Sequence, residues 1–118
     1  MKILVTGSRT WTDVGVLEFA LRRVCAAYDP QAIVIVHGAA QGADLLAAKY
    51  AHRHDLRTER HPADWQRYGK AAGVIRNAEM VAAGADLCLA FIRDGSRGAT
   101  HCADLAEKAG IPTRRYLA

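Results

Sequence analysis

The chain is poor in the residues that would take it out of ordinary soluble α/β chemistry. Three cysteines, Cys25, Cys88 and Cys102, occur in 118 residues. The odd number, and the lack of CxxC or Cys/His zinc spacing, excludes a disulfide scaffold and a zinc module; the three read as reduced core residues. Three prolines, with no low-complexity stretch and no internal repeat, leave no linker, so one domain is expected. No apolar run approaches the roughly 18 residues of a membrane span. Met1 leads into a strand rather than a signal peptide, so the expected location is the cytoplasm and no membrane partner is expected. There is no HExxH, and His52 and His54 sit two apart on a helix and point to different faces, so no metal site is expected. Neither glycine loop carries GxGxxG or the Gly-Lys-Ser/Thr of a Walker A loop, which weighs against NAD and ATPase readings. No cofactor is expected. The formal charge of +4 suits an anionic ligand and also weak nucleic-acid contact.

What is present is organised around Ile33-Val34-Ile35-Val36 followed by His37-Gly38-Ala39-Ala40-Gln41-Gly42-Ala43-Asp44. The β-branched run reads as a strand buried on both faces of a parallel sheet. The side chains then shrink, and Ala43, Leu46, Ala47, Tyr50 and Ala51 form a helical stripe. The first turn of a helix offers unpaired N–H groups and partial positive charge. Small residues would let a phosphate approach there; the bland reading is a tight turn that needs glycine for backbone reasons.

Around this unit the chain alternates strands and helices. Lys2 to Thr6 is a strand ending in Gly7-Ser8-Arg9-Thr10-Trp11. Thr12 or Asp13 caps a helix with stripe Val14, Leu17, Leu21, Val24, Cys25 and Tyr28. Leu56 to Arg60 reads as a polar edge strand and 61–69 as a loop. A helix follows with Ala71, Val74, Ile75, Ala78, Val81 and Ala82 inward, and Gly84 ends it. Asp86 to Phe91 is a strand, Arg93 to Gly98 a second glycine loop. The last helix buries Cys102, Leu105, Ala106 and Ala109, and Thr113 to Leu117 is the last strand. This pattern predicts a three-layer α/β/α fold with a five-stranded parallel sheet, order 3-2-1-4-5. Ligands in such sheets bind at the carboxyl edge, where strand order reverses.

The candidate site residues lie on that edge. Ser8 can donate to a phosphate and Arg9 can grip one with a bidentate fork; an Arg after a strand is also often simply solvated. Asp44, in a first helical turn, is either a dipole-favoured cap or an acceptor for ribose hydroxyls. Asp64 poses a similar choice, and Trp65 either stacks on a base or packs. Arg76 and Asn77 flank the expected buried stripe, so Arg76 is a candidate phosphate or transition-state cation. Gly95, Ser96 and Gly98 before the last helix repeat the logic of Gly38 and Gly42. His37 is a possible general base, or a hydrogen-bonding loop residue.

Four motifs together resemble a known group: Gly7-Ser8-Arg9-x-Trp11, His37-Gly38-x-Ala40-x-Gly42-Ala43-Asp44, His61-Pro62-Ala63-Asp64-Trp65 and Ala72-Gly73-x-x-Arg76-Asn77-x-x-Met80. In that order they are similar to the SLOG superfamily, and within it to the YspA-type branch related to YpsA. The resemblance implies a Rossmann-like domain that binds nucleotides or nucleotide-derived ligands. The expected ligand or phosphate contacts are Gly7, Ser8, Arg9, His37, Gly38, Ala39, Gly42, Ala43, Asp44, Trp65, Arg76, Asn77, Gly95, Ser96, Gly98 and Thr100. Relatives include the cytokinin-activating phosphoribohydrolases and the DNA-processing protein DprA. The phosphoribohydrolases carry PGGxGTxxE; here the stretch is Ser96-Arg97-Gly98-Ala99-Thr100-His101-Cys102. The threonine is displaced to Thr100, the catalytic glutamate position falls on Cys102, and Asp104 lies two residues further on.

The leading expectation is therefore a nucleotide or nucleotide-derivative binder acting as sensor or carrier. One alternative is an N-glycosidic hydrolase, with Arg9 or Arg76 on the phosphate and Asp44 or Asp64 as the carboxylate. Another is a DprA-like single-stranded DNA binder, for which Arg22-Arg23 and Arg114-Arg115 supply charge but only Trp11 and Trp65 supply exposed aromatics. The Ala-rich helix faces also suggest a homodimer or a higher oligomer.

Overall fold

A computed structural model describes all 118 residues. Its strands are β1 (Lys2–Gly7), β2 (Val34–His37), β3 (Arg57–Arg60), β4 (Leu87–Ile92) and β5 (Thr113–Leu117). They form one sheet in the order β3-β2-β1-β4-β5, parallel at every pairing, as the sequence pattern predicts. The helices are α1 (Val14–Cys25), α2 (Ala43–Arg53), α3 (Trp65–Tyr68), α4 (Ala72–Ala82) and α5 (Arg97–Lys108). None is long and apolar enough to cross a membrane.

Period-two alternation in the strands builds two cores. Ile3, Val5, Ile35, Leu87, Leu89 and Phe91 meet Leu17, Leu21, Ala47 and Tyr50 of α1 and α2 on one face. Leu4, Val36 and Cys88 meet Met80 and Val81 of α4 and Cys102 and Ala106 of α5 on the other. The cysteines are free, with Cys88 and Cys102 buried. Burial pushes the Cys88 thiol up to about 12, so it stays protonated.

Five expectations need correction. Trp11 is not an exposed aromatic; it is buried, edge-on to Phe91 at 5.4 Å, with its indole N–H donating to Asp13 O. Asp13, with its side chain accepting from Val16 N, is the cap of α1, and Val14 and Tyr28 at the ends of the expected stripe are exposed. The largest change is in α4, which is rotated from the expected phase. Ala72, Asn77, Met80 and Val81 face inward while Val74 is 53% exposed. The helix is apolar nearly all round, so hydrophobicity alone does not fix which side turns to the sheet. In α5, Ala99 and Ala103 are buried in place of Ala109. The stretch expected as a loop holds α3 and an adjoining 3-10 turn (Gly69–Ala71), neither of which buries a residue.

Candidate functional site

Parallel pairing brings the ends of β1, β2, β3 and β4 to one edge, and the loops beyond them enclose a cleft with two lobes. The first lobe, of about 440 Å³, lies between the β2 and β3 loops and is lined by Gly38, Ala39, Gln41, Arg60, Pro62, Ala63 and Trp65. The second, of about 570 Å³, lies where strand order reverses and is lined by residues including Ser8, Asp44, Lys70, Asn77, Arg93, Ser96 and Gly98. Arg9, Ala40 and Arg76 belong to the walls of both. Each volume is in the range of roughly 300–1,000 Å³ seen for small-molecule sites. Arg9, Arg60, Lys70, Arg76 and Arg93 face the cleft against only two carboxylates, Asp44 and Asp94, and Arg93 lies 3.7 Å from the exposed Asp94. Such a cationic concavity attracts anions.

The central glycine loop is closed in a way its sequence does not announce. Asp44 is 4% exposed, and its Oδ2 accepts from Gly38 N at 2.9 Å and Ala40 N at 3.4 Å. His37 Nδ1 accepts from Ala39 N at 3.0 Å, and Arg76 Nη1 donates to Gly38 O. The loop amides of Gly38, Ala39 and Ala40 are thus taken by the protein's own carboxylate and imidazole, and of the first-turn amides of α2, Ala43 N donates to Ser8 O at 3.3 Å. Gly42, at φ 75°, has no room beside it: a methyl group there would run into the carbonyls of Ser8 and Arg9. Its hydrogen serves the close approach of two loops, and it lines neither lobe. A side chain at Gly38 would displace the Arg76 guanidinium, the movable end of a flexible side chain, from its place over the loop.

Burial pushes the Asp44 carboxyl up to about 6, held from rising further by the Ala40 amide, Arg76, the Gly38 amide and Arg9. Its Oδ1 receives no hydrogen bond from the protein, and Asp44 is part of the wall of the second lobe. Burial, with Arg60 and His61 beside it, pushes the His37 pKa down. With Nδ1 accepting, the neutral ring carries its proton on Nε2, which is buried and unpartnered. His37 lines neither lobe, so it is a loop brace rather than a general base aimed at the cleft.

Ser8 is likewise committed: it is 1% exposed, and its hydroxyl accepts from Arg93 N at 2.8 Å and lies 3.4 Å from Arg93 O. Together with Ser8 N donating to Phe91 O at 2.8 Å, this ties the β1 loop to the end of β4. Asp64 caps α3 by accepting from Arg67 N, between Ala63 and Trp65 of the first lobe, and is not itself on the wall of either lobe. Gly7 packs against Ala43, which is fully buried. Gly95 and Thr100 do not reach the wall of either lobe.

Of the predicted residues, Gly7, Ser8, Arg9, Gly38, Ala39, Asp44, Trp65, Arg76, Asn77, Ser96 and Gly98 all reach the lobe walls. The Arg9 guanidinium lies 5.2 Å from the centre of the half-exposed Trp65 ring, within cation–π range. Asn77 is buried, accepts from Arg76 Nε at 2.8 Å and donates to Gly98 O at 3.4 Å. The start of α5 differs from that of α2. Neither helix has a side-chain cap bond, but α2 carries Asp44 in its first turn while the first turn of α5 has no acidic residue, and the space beside Gly98 is open. The first amides of α5 therefore face the second lobe without an internal anion. Sequence reasoning missed Arg60, Lys70 and Arg93 as part of the cleft. Arg60 and Arg93 stand at strand ends on the binding edge, a signal that was available. Lys70 sits on the unexpected 3-10 turn and had none.

Fold and cleft together define a Rossmann-like α/β protein with a cationic, two-lobed cleft at the carboxyl edge of its sheet. The chain belongs to the YAcAr family, described as YspA, cpYpsA-related SLOG, whose model matches residues 1–68. It is 46% identical over 120 residues to the Gene 61 protein of Mycobacterium phage D29, covering 98% of this chain and 95% of the phage protein. Its fold is shared, at TM-score 0.67 and 19% identity, with DNA processing protein A from Helicobacter pylori, solved for its single-stranded DNA binding mode. That match covers 98% of this chain, which spans 64% of the other.

Proposed function

We propose that the cleft binds a nucleotide or nucleotide-derived small molecule, and that the protein acts through this binding as a sensor or carrier. One observation supports the reading: the first turn of α5 holds no acidic residue and Ser96 makes no cap bond, and Ser96, Gly98 and Ala99 share the wall of the second lobe with Lys70, Arg76 and Arg93, whereas the first turn of α2 carries the Asp44 carboxylate. A phosphate placed there meets unpaired amides, the helix dipole and charged donors together. Trp65, on the first lobe, is positioned to stack on a base. The test is mass spectrometry of small molecules released from the purified protein, followed by calorimetric titration with them. Purified protein that carries nothing and binds no nucleoside phosphate would remove the reading.

Single-stranded DNA is the second reading. It is favoured by the fold shared with DNA processing protein A and by the cations that span both lobes beside an exposed tryptophan. The two readings separate by length and salt. A DNA binder tightens from mononucleotide to oligonucleotide, and its log K falls against log salt with a slope of about −0.7 per phosphate contacted. A small-molecule site gains nothing from added length.

A further inference from the structure

We infer that the second lobe selects a ribose over a deoxyribose, with the Oδ1 of Asp44 as the acceptor for a sugar hydroxyl of a 5′-phosphorylated ribonucleoside. This rests on the cleft reading above and names the substrate class within it.

Asp44 is an acidic side chain set among cations and almost wholly buried, and half of it is already used. Oδ2 organises the β2 loop through Gly38 N and Ala40 N, while Oδ1 receives no donor from the protein. An ionised carboxylate has only acceptor sites, so Oδ1 calls for a hydrogen-bond donor. A phosphate has none to offer when fully ionised and is repelled by the charge. The donor must therefore come from another part of the ligand. Position decides which. Asp44 shares the wall of the second lobe with Ser96 and Gly98 at the start of α5, and it is absent from the first lobe, where Trp65 and Pro62 lie. With the phosphate at α5 and the base at Trp65, the group between them is the sugar. The shared walls of the two lobes, Arg9, Ala40 and Arg76, mark the same middle position. Of the donors on a nucleotide, the ribose hydroxyls fit that place.

A site built to hydrogen-bond a hydroxyl rejects the analogue lacking it, because its buried polar group is left unpaired. The experiment is calorimetric titration of the intact protein with AMP, GMP, CMP and UMP, each beside its 2′-deoxy and 3′-deoxy counterpart. The expected result is that the best-binding ribonucleotide loses roughly tenfold to a hundredfold in affinity on removal of one of the two hydroxyls. Asp44→Asn, which keeps an oxygen for Gly38 N and Ala40 N, should shrink that ratio toward one, since an NH2 donor then stands where the Oδ1 acceptor was. Equal binding of ribo and both deoxy forms overturns the inference and leaves the cleft reading standing. So does a preference that follows the base rather than the sugar. Binding of none of the twelve compounds overturns both.

Discussion

Replacing Asp44 by asparagine tests the burial of this carboxylate through stability alone, with no ligand required. In the folded protein its pKa rises from 3.8 to about 6, chiefly because burial disfavours the charged form. Folding then favours the protonated acid. The stabilising contribution is fully present below the unfolded value of 3.8 and is lost as pH rises through about 6. A rise of about two pH units is worth roughly 3 kcal/mol at 1.36 kcal/mol per unit. Glu59 titrates in the opposite sense, because hydrogen bonds from His61 and Lys2 lower its pKa, but it is common to both proteins and cancels in the comparison. Urea unfolding of the parent and of Asp44→Asn at intervals from pH 4 to pH 8 gives the difference directly. The parent should lose roughly 2–2.5 kcal/mol relative to the variant across that range, the rest having gone below pH 4. A difference that is flat with pH would refute the reasoning, since Asp44 would then carry no buried charge to titrate.

The glycines give an opposed pair. Gly42→Val should unfold the protein or strip several degrees from its Tm, because φ is positive and the Ser8 and Arg9 backbone fills the space; circular dichroism reads this. Gly98→Ala, inside α5 with open space around it, should instead gain roughly 0.5–1 kcal/mol of stability from reduced chain entropy while weakening nucleotide binding, and unchanged affinity would move the phosphate away from that helix. Arg76→Ala should cost binding by roughly 1.5–3 kcal/mol and also loosen the β2 loop by freeing Gly38 O. Arg76→Lys should restore only part, because an ammonium cannot replace the planar fork. Trp11 is buried and Trp65 half-exposed, so ligand should quench the red-shifted part of tryptophan emission, and Trp65→Ala should abolish that change. Base release from nucleoside monophosphates should stay far below about 1 per second; turnover at that rate that vanishes in Asp44→Asn would instead establish a hydrolase.

The sheet was legible because its signal is one-dimensional. Runs such as Ile33 to Val36 and Leu87 to Phe91 have no reading other than buried parallel strands, and alternation with helices then leaves few strand orders. The loops at strand ends were legible as an edge for the same reason. What was hidden is how polar groups spend their bonds. Nothing in Gly7-Ser8-Arg9 says that the serine faces the Arg93 backbone while the arginine faces a tryptophan. Nothing in the helix start at Ala43 says that Asp44 turns back to bind amides six and four residues earlier. The phase of α4 was hidden too, since Val74, Ile75 and Ala78 are apolar like Met80 and Val81, and only packing against α5 and the sheet chooses between them.

The cleft has one stiff wall and one soft wall. On the stiff side, Ser8, Phe91 and Arg93 knit two neighbouring strand ends together, and Ala43 N donates to Ser8 O at 3.3 Å. On the soft side, residues 65–71 bury nothing and hold together through short-range turns. Segments with few buried contacts open at low free energy while the rest of a protein stays folded. Amide hydrogens there should exchange with solvent long before those of β1 and β4, and a ligand arriving between the walls gains most by slowing that exchange. If the cleft takes the proposed ligand, its exchange should follow the opening of residues 65–71 rather than that of the sheet.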